Sequence, residues 1–354
     1  MVDVIRTLSR LLLGGLLLVV LVLGYAYWQQ QAAVRQTLKL DEARLLDVPP
    51  GSTPVGLINR LEREGLLEDG LWLRLHWRLH RSGQTLHGGE YRLEPGMSVG
   101  ELFEHWVSGK VVQYSLTLVE GWNIRQLRAA LASHEKLEQT LAGVDDAELM
   151  RRVGEPGMHP EGRFFPDTYR YVRGMRDIDV LIQANRRLRQ VLAEEWAGRA
   201  PGLPYRNEYE ALIMASIIEK ETGVPAERGQ IAGVFVRRLE KRMRLQTDPT
   251  VIYGMGERYA GKIRRSDLRE PTPYNTYVIS GLPPTPIAMV GREAIHAALQ
   301  PEPGNALYFV ARGDGSHVFS ATLAEHMRAV REYQLNRRAD YRSSPAPISK
   351  EDTQ

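Results

Sequence analysis

Cysteine is absent from the 354-residue sequence, which excludes a disulfide framework, a thiol nucleophile and any thiolate metal site. The absence is compatible with an oxidising compartment and does not require one. There is no His-Glu-x-x-His pattern either. His76 and His80 stand four apart but among Leu73, Trp77 and Leu79, the setting of an ordinary helix surface, so no metal is expected. Lys220 could in principle form a Schiff base, but no Gly-rich phosphate cradle accompanies it, and no cofactor is expected. Charge is nearly balanced, with 46 Lys and Arg against 43 Asp and Glu. The concentrated basic stripe that nucleic-acid binding requires is missing. A chain of this length holds two or three domains.

What is present begins with an uncharged run, Leu11 to Trp28, dominated by Leu and Val and long enough to cross a bilayer. Arg6 and Arg10 precede it, and Tyr25, Tyr27 and Trp28 mark its far edge as an aromatic belt would. Gly24-Tyr25-Ala26 offers a small-x-small cleavage site, but the apolar run exceeds a usual signal core. The reading is an uncleaved signal anchor at 11–28. A short cytoplasmic tail (1–10) precedes it, a linker (29–42) follows, and the bulk of the chain lies on the far side of the membrane.

After the linker, one pattern recurs: a strand-like run, a Gly turn, a Ser, Thr or Asn cap, then helical spacing. It is seen at Pro50-Gly51-Ser52-Thr53, at Pro95-Gly96-Met97-Ser98 and at Glu120-Gly121-Trp122-Asn123. The intervals are too irregular for a solenoid and describe small α+β units in series. The first unit reads as strand, helix (53–64), helix (69–81) and returning strand (85–93). Residues 341–354, with Ser-Ser-Pro-Ala-Pro inside, read as a disordered tail.

The most informative stretch is Ala211 to Thr222. Eight small or apolar residues, Ala211 to Ile218, predict a helix buried on every side. Asn207 and Glu210 resemble a capping box before it, and Gly223 is placed to close it. Glu219 and Glu221 then fall in its last turn, about 200° apart around the axis. A carboxylate ending an apolar helix costs free energy unless it is paired or lines a cleft and does chemistry. Periodicity does not choose between the two, and Glu219-Lys220-Glu221 is equally the pattern of a solvated helix end. A second helix follows, with Pro225 at its start and Ile231, Val234, Phe235 and Leu239 as its apolar face.

Downstream lie Leu245-Gln246-Thr247-Asp248-Pro249-Thr250-Val251-Ile252-Tyr253-Gly254, Tyr274-Asn275-Thr276-Tyr277 and Gly281-Leu282-Pro283-Pro284. Their amides, hydroxyls and aromatic rings are the inventory that a sugar polymer requires. Together with S-I-I-E-K-E-T at 216–222 and E-G-R-F-F-P-D-T-Y at 161–169, they resemble the MltG-type (YceG-like) endolytic murein transglycosylases, in order and spacing from about residue 45 to 335.

The resemblance implies an α+β protein: a single N-terminal transmembrane helix, a small LysM-like βααβ domain (43–110) and a mixed α+β catalytic domain (111–340). It places the catalytic glutamate on Glu219. The partners implied are peptidoglycan glycan strands, the inner membrane and cell-wall synthases, with the body of the chain in the periplasm. Substrate-binding candidates are Gln246, Asp248, Tyr253, Asn275, Tyr277, Glu161 and Tyr169, with Glu221 the alternative acid. Asp248, Glu161 and Asp167 are also good turn or cap residues. Two other functions stay open at this point: a muramidase-type hydrolase pairing Glu219 with Asp248 or Glu161, and a non-enzymatic wall-binding scaffold for synthases.

Overall fold

The computed structural model describes residues 2–335. The stretch 341–354, read above as a tail, lies outside them. The fold is mixed α+β, and the chain divides into two compact units. Unit 1 comprises residues 1–114 with two short returns, 136–138 and 170–175, and unit 2 comprises the rest.

Unit 1 begins with helix α1 (Val2–Arg35). Its residues 5–35 are long and apolar enough to cross a membrane, and the apolar side chains from Leu11 to Leu23 are exposed. The helix does not stop where the apolar run ends. It continues through the first part of the expected linker to Arg35, and Gln30, Ala33 and, just beyond it, Leu38 are buried. Strand β1 (Arg44–Val48), helices α2 (Pro54–Arg63) and α3 (Gly70–His80) and strand β2 (Gly89–Leu93) then give the strand-helix-helix-strand order read from the sequence. β1 and β2 pair antiparallel, Leu46 opposite Tyr91. The core is Leu46, Ile58, Leu61, Leu73, Tyr91 and Leu93, joined by Phe103 and Trp106 of helix α4 (Val99–Ser108).

The caps fall where the turn pattern placed them. Thr53 caps α2 through the Gly56 amide, and Ser98 forms a complete capping box with Glu101.

Strand β3 (Gln113–Thr117) pairs with β4 (Thr168–Val172). Between them come α5 (Ile124–Ser133), capped by Asn123 with Gln126, and α6 (Asp146–Val153). Unit 2 continues with α7 (Asp177–Ala197), α8 (Glu208–Glu221), α9 (Arg228–Glu240) and α10 (Asp248–Met255). Then come α11 (Arg292–Leu299), the hairpin β5 (Tyr308–Ala311) and β6 (His317–Ser320), and α12 (Leu323–Val330), with a π-helical turn over Arg331–Leu335 as the last described element.

α8 is the hub: α7, α9, α10 and α11 all pack on it, and every residue from Ala211 to Ile218 is buried. Its ends differ from the sequence reading. Asn207 caps the Glu210 amide, but the Glu210 carboxylate turns to Arg206 and leaves the box half made. The helix ends at Glu221, with Thr222 in extended backbone, so Gly223 is not its terminator.

Two residues of the motifs serve the packing. Ser216, fully buried in α8, accepts a hydrogen bond from the Ile287 amide at 3.0 Å and donates to Ile213 O. This ties the segment after Gly281-Leu282-Pro283-Pro284 to the hub. Replacing Ser216 by Ala strands that buried amide, and an unfolding titration should show a loss of about 1–3 kcal/mol. Gly162 has φ +71°, and a Cβ there would stand 2.4 Å from Pro286 Cβ. Gly162→Ala meets both the backbone strain and the clash, so a loss of roughly 2–4 kcal/mol in thermal unfolding is expected.

Candidate active site

The apolar walls of α8 end at Ile218, and the next residues turn polar groups into a cleft of about 550 Å³. Glu120, Gly121, Glu219, Lys220, Glu221 and Arg228 line it. The Glu219 side chain is 6% exposed. Its Oε2 accepts from the Gly291 amide at 3.1 Å, and its Oε1 lies 3.8 Å from the Arg228 guanidinium. Burial pushes its pKa up and the negative charge of Glu120 pushes it the same way, against the Gly291 amide, Arg228 and Lys220. Burial wins, because a carboxylate here exchanges water for one amide and one distant cation.

The turn Glu120-Gly121-Trp122 is stapled to the segment before α11. Gly121 N donates to Met289 O at 2.9 Å and Met289 N to Trp122 O at 2.7 Å. Lys220 Nζ donates to Gly121 O at 3.1 Å. Glu120 fills the space above Gly291 that a side chain would occupy. A turn read from the sequence only as a helix entry thus delivers a second carboxylate to the neighbourhood of Glu219.

Glu221 leaves α8 on another side and receives the Thr247 hydroxyl. Burial, with Asp248 close by, pushes its pKa up to about 7. Thr247 is in turn fixed by Thr276, whose hydroxyl accepts from the Thr247 amide at 3.0 Å and meets the Thr250 hydroxyl at 2.9 Å. Three threonines from the 245–254 and 274–277 motifs therefore lock the two loops together beneath Glu221.

The remaining candidates separate into those at the cleft and those in the frame. Asp248 lines the cleft and accepts from Tyr277 Oη at 2.7 Å. Gln246 has φ +54°, and its side chain accepts from Arg238 at 3.3 Å. With Tyr277, both line a second cavity of about 640 Å³. The two cavities share Glu221, Asp248, Ala311 and His317 in their walls, so they adjoin at the end of α8.

Asn275 is 1% exposed, and its amide is spent on Asp267 O, Glu270 O and the Tyr277 amide. Tyr169 is buried and donates to Phe165 O at 2.7 Å. Glu161 is fully buried and accepts from Ile124 N at the start of α5 (3.1 Å) and from Tyr253 Oη (3.0 Å). Burial pushes it, too, up to about 7. None of these four lines either cavity. Asn275 fixes the Tyr277 amide beside the second cavity, and Tyr253, next to Ile252 of the cleft, is tied to Glu161.

Arg228, Gly291 and His317 were not legible as site residues. His317 lies in the wall shared by both cavities and is held by Glu227, at 2.7 Å from Nδ1 and 2.9 Å from its amide. Nothing local marks it, since the partner is ninety residues away.

A buried glutamate with a raised pKa, at the end of a buried helix and lining a polar cleft, is the build of an acid–base enzyme. The chain belongs to the YceG-like family, whose model matches residues 46–332. It is 30% identical over 308 residues to an endolytic murein transglycosylase of Bacillus subtilis, covering 81% of this chain and 84% of that one. An endolytic murein transglycosylase of Streptococcus pneumoniae is 27% identical over 328 residues, and there the match spans 57% of the relative's length. Among solved structures, a YceG-like protein of Listeria monocytogenes matches with a TM-score of 0.51 and 31% identity, over 81% of this chain and 99% of that one.

Proposed function

We propose that this chain is an endolytic lytic transglycosylase of peptidoglycan, with Glu219 as acid and then base. The observation that carries the reading is the environment of Glu219: burial and Glu120 favour its protonated form, and it lines a polar cleft that a second cavity adjoins.

The protonated carboxyl gives its proton to the glycosidic oxygen between MurNAc and GlcNAc as that bond breaks. The C6 hydroxyl of the same MurNAc attacks C1, and the Glu219 carboxylate takes that hydroxyl's proton. Atoms balance without added water, and the new end is a 1,6-anhydro sugar. During the carboxylate interval the Gly291 amide and the Arg228 and Lys220 charges steady Glu219. Gln246, Asp248 and Tyr277 are the cavity-side groups for amide and hydroxyl contacts, while Tyr253 and Glu161 act as positioning residues behind the wall.

A second cavity adjoining the cleft of the acid suits cutting within a strand. Incubation with long, uncrosslinked strands should therefore give a broad early spread of fragment lengths, all ending in anhydro-MurNAc. Release of one short product from the strand end would overturn the endolytic reading.

The same reading makes α1 a single-pass anchor in the inner membrane, with the N-terminus cytoplasmic and the body in the periplasm. Nascent strands, and the synthases that make them, are then the natural neighbours. We assign residues 43–110 to a LysM-like domain on its strand-helix-helix-strand order and 111–340 to the catalytic domain.

A further inference from the structure

Helix α3 carries a ridge that the fold of unit 1 leaves uncovered. Leu71, Leu75 and Leu79 are spaced four apart and so lie in one row. Leu71 is 64% exposed and Leu79 61%, the two most exposed large apolar side chains described in unit 1 outside α1, and Leu75 is half-buried. The opposite side of the helix, Leu73 and Trp77, is in the core. An apolar row facing outward beside a finished core is not needed for folding.

Its position relative to α1 says what covers it. α3 packs on α1, and the Trp72 ring meets the Tyr25 ring edge-on at 6.4 Å. Tyr25 belongs to the aromatic group, with Tyr27 and Trp28, that ends the apolar run. All three are exposed, whereas Gln30 and Ala33, one turn on, are buried in unit 1. The helix therefore passes from lipid to protein within about one turn, leaving no spacer between bilayer and domain.

Charge fits the same surface. α3 contains Arg74 and Arg78, two His and no acidic residue. Arg74 is paired with Glu62 at 3.0 Å, but Arg78, on the Leu75–Leu79 side, is exposed with no ion-pair partner among the described residues. Apolar side chains with a cation at their flank are the features of a helix that lies in the headgroup layer.

We propose that α3 is a membrane-docking element. The Leu71–Leu75–Leu79 ridge rests in the interface of the same bilayer that α1 crosses, with Arg78 among anionic headgroups, so that unit 1 is clamped to the lipid surface by two helices. The proposal rests on α1 being a membrane span and is independent of the chemistry assigned to Glu219.

The lack of native cysteine makes the test direct. Full-length Leu71→Cys, Leu79→Cys and, as control on α2, Val55→Cys carry an environment-sensitive fluorophore and are reconstituted into vesicles of phosphatidylethanolamine and phosphatidylglycerol. Headgroup-level spin-labelled lipid should quench the labels at 71 and 79 at least threefold more than the label at 55. Adding Arg78→Glu should weaken that quenching at 79 in these vesicles and leave it unchanged in pure phosphatidylcholine. Equal quenching at all three sites overturns the proposal, and so does quenching at 71 without 79, which leaves only the α1 junction at the interface. Labels shielded equally in detergent, and unshielded on dilution, would give the ridge to a second copy of the chain instead of lipid. A Glu219→Gln chain must dock like the wild type, which separates failure of this proposal from failure of the catalytic one.

Discussion

Glu219→Gln should lower turnover on glycan strands by about a thousandfold without lowering the melting temperature. The amide keeps the shape and still accepts from the Gly291 amide, now at 3.1 Å, so the wall of the cleft stays in place. What it loses is the transferable proton, and general acid–base catalysis by a positioned side chain contributes about 10²–10⁴ in rate. The comparison with Glu221→Gln is the informative one. Both residues line the cleft and both are pushed toward the protonated form, yet Glu221 is engaged with Thr247. Glu221→Gln should retain at least a tenth of wild-type turnover. A folded Glu219→Gln chain that remains active, beside an inactive Glu221→Gln chain, would move the chemistry to Glu221.

Stability should fall as pH rises from about 4.5 to 7. Burial pushes Glu161 and Glu221 up to about 7 in the folded chain from the usual 4.5, so in that window the folded state binds more protons than the unfolded one. The unfolding free energy then decreases with pH, is fully present below the unfolded value, and levels off above the folded one. A shift of this size corresponds to roughly 3 kcal/mol for each buried group. Glu221→Gln removes its share, because a neutral amide still accepts from Thr247 and has no charge to desolvate. Thermal unfolding of this variant should match wild type at pH 4 and lie several degrees above it at pH 8. A variant less stable at both pH values would mean that the carboxylate is held charged and paired, contrary to its surroundings.

The sequence carried local features further than it carried the site. Caps at Thr53, Ser98 and Asn123 were readable because each is settled by three or four consecutive residues. The burial of Ala211–Ile218 followed from an unbroken apolar run. Helix ends were less secure, since Thr222 rather than Gly223 follows α8, and the carboxylate of Glu210 found Arg206 in place of the cap amide.

At the site, a motif marked the neighbourhood without marking the job. Asn275 and Tyr253 have the side chains that a sugar would use, but burial commits Asn275 to backbone carbonyls and Tyr253 to Glu161. Glu120, Arg228 and His317 reach the cleft only through chain reversals, a staple at Met289 and a β-hairpin, that no local pattern encodes. Family resemblance pointed to Glu219, and in the structure burial and the charge of Glu120 both push its pKa up.

The most direct measurement is the mass of the new glycan ends made by the full-length chain in water enriched in oxygen-18. Intramolecular attack by the C6 hydroxyl predicts ends one water lighter than a hydrolysis product, with no heavy oxygen, and none formed by Glu219→Gln. Reducing ends carrying one oxygen-18 would contradict the account, and would turn Glu120, beside Glu219 in the same cleft, into the group that activates water.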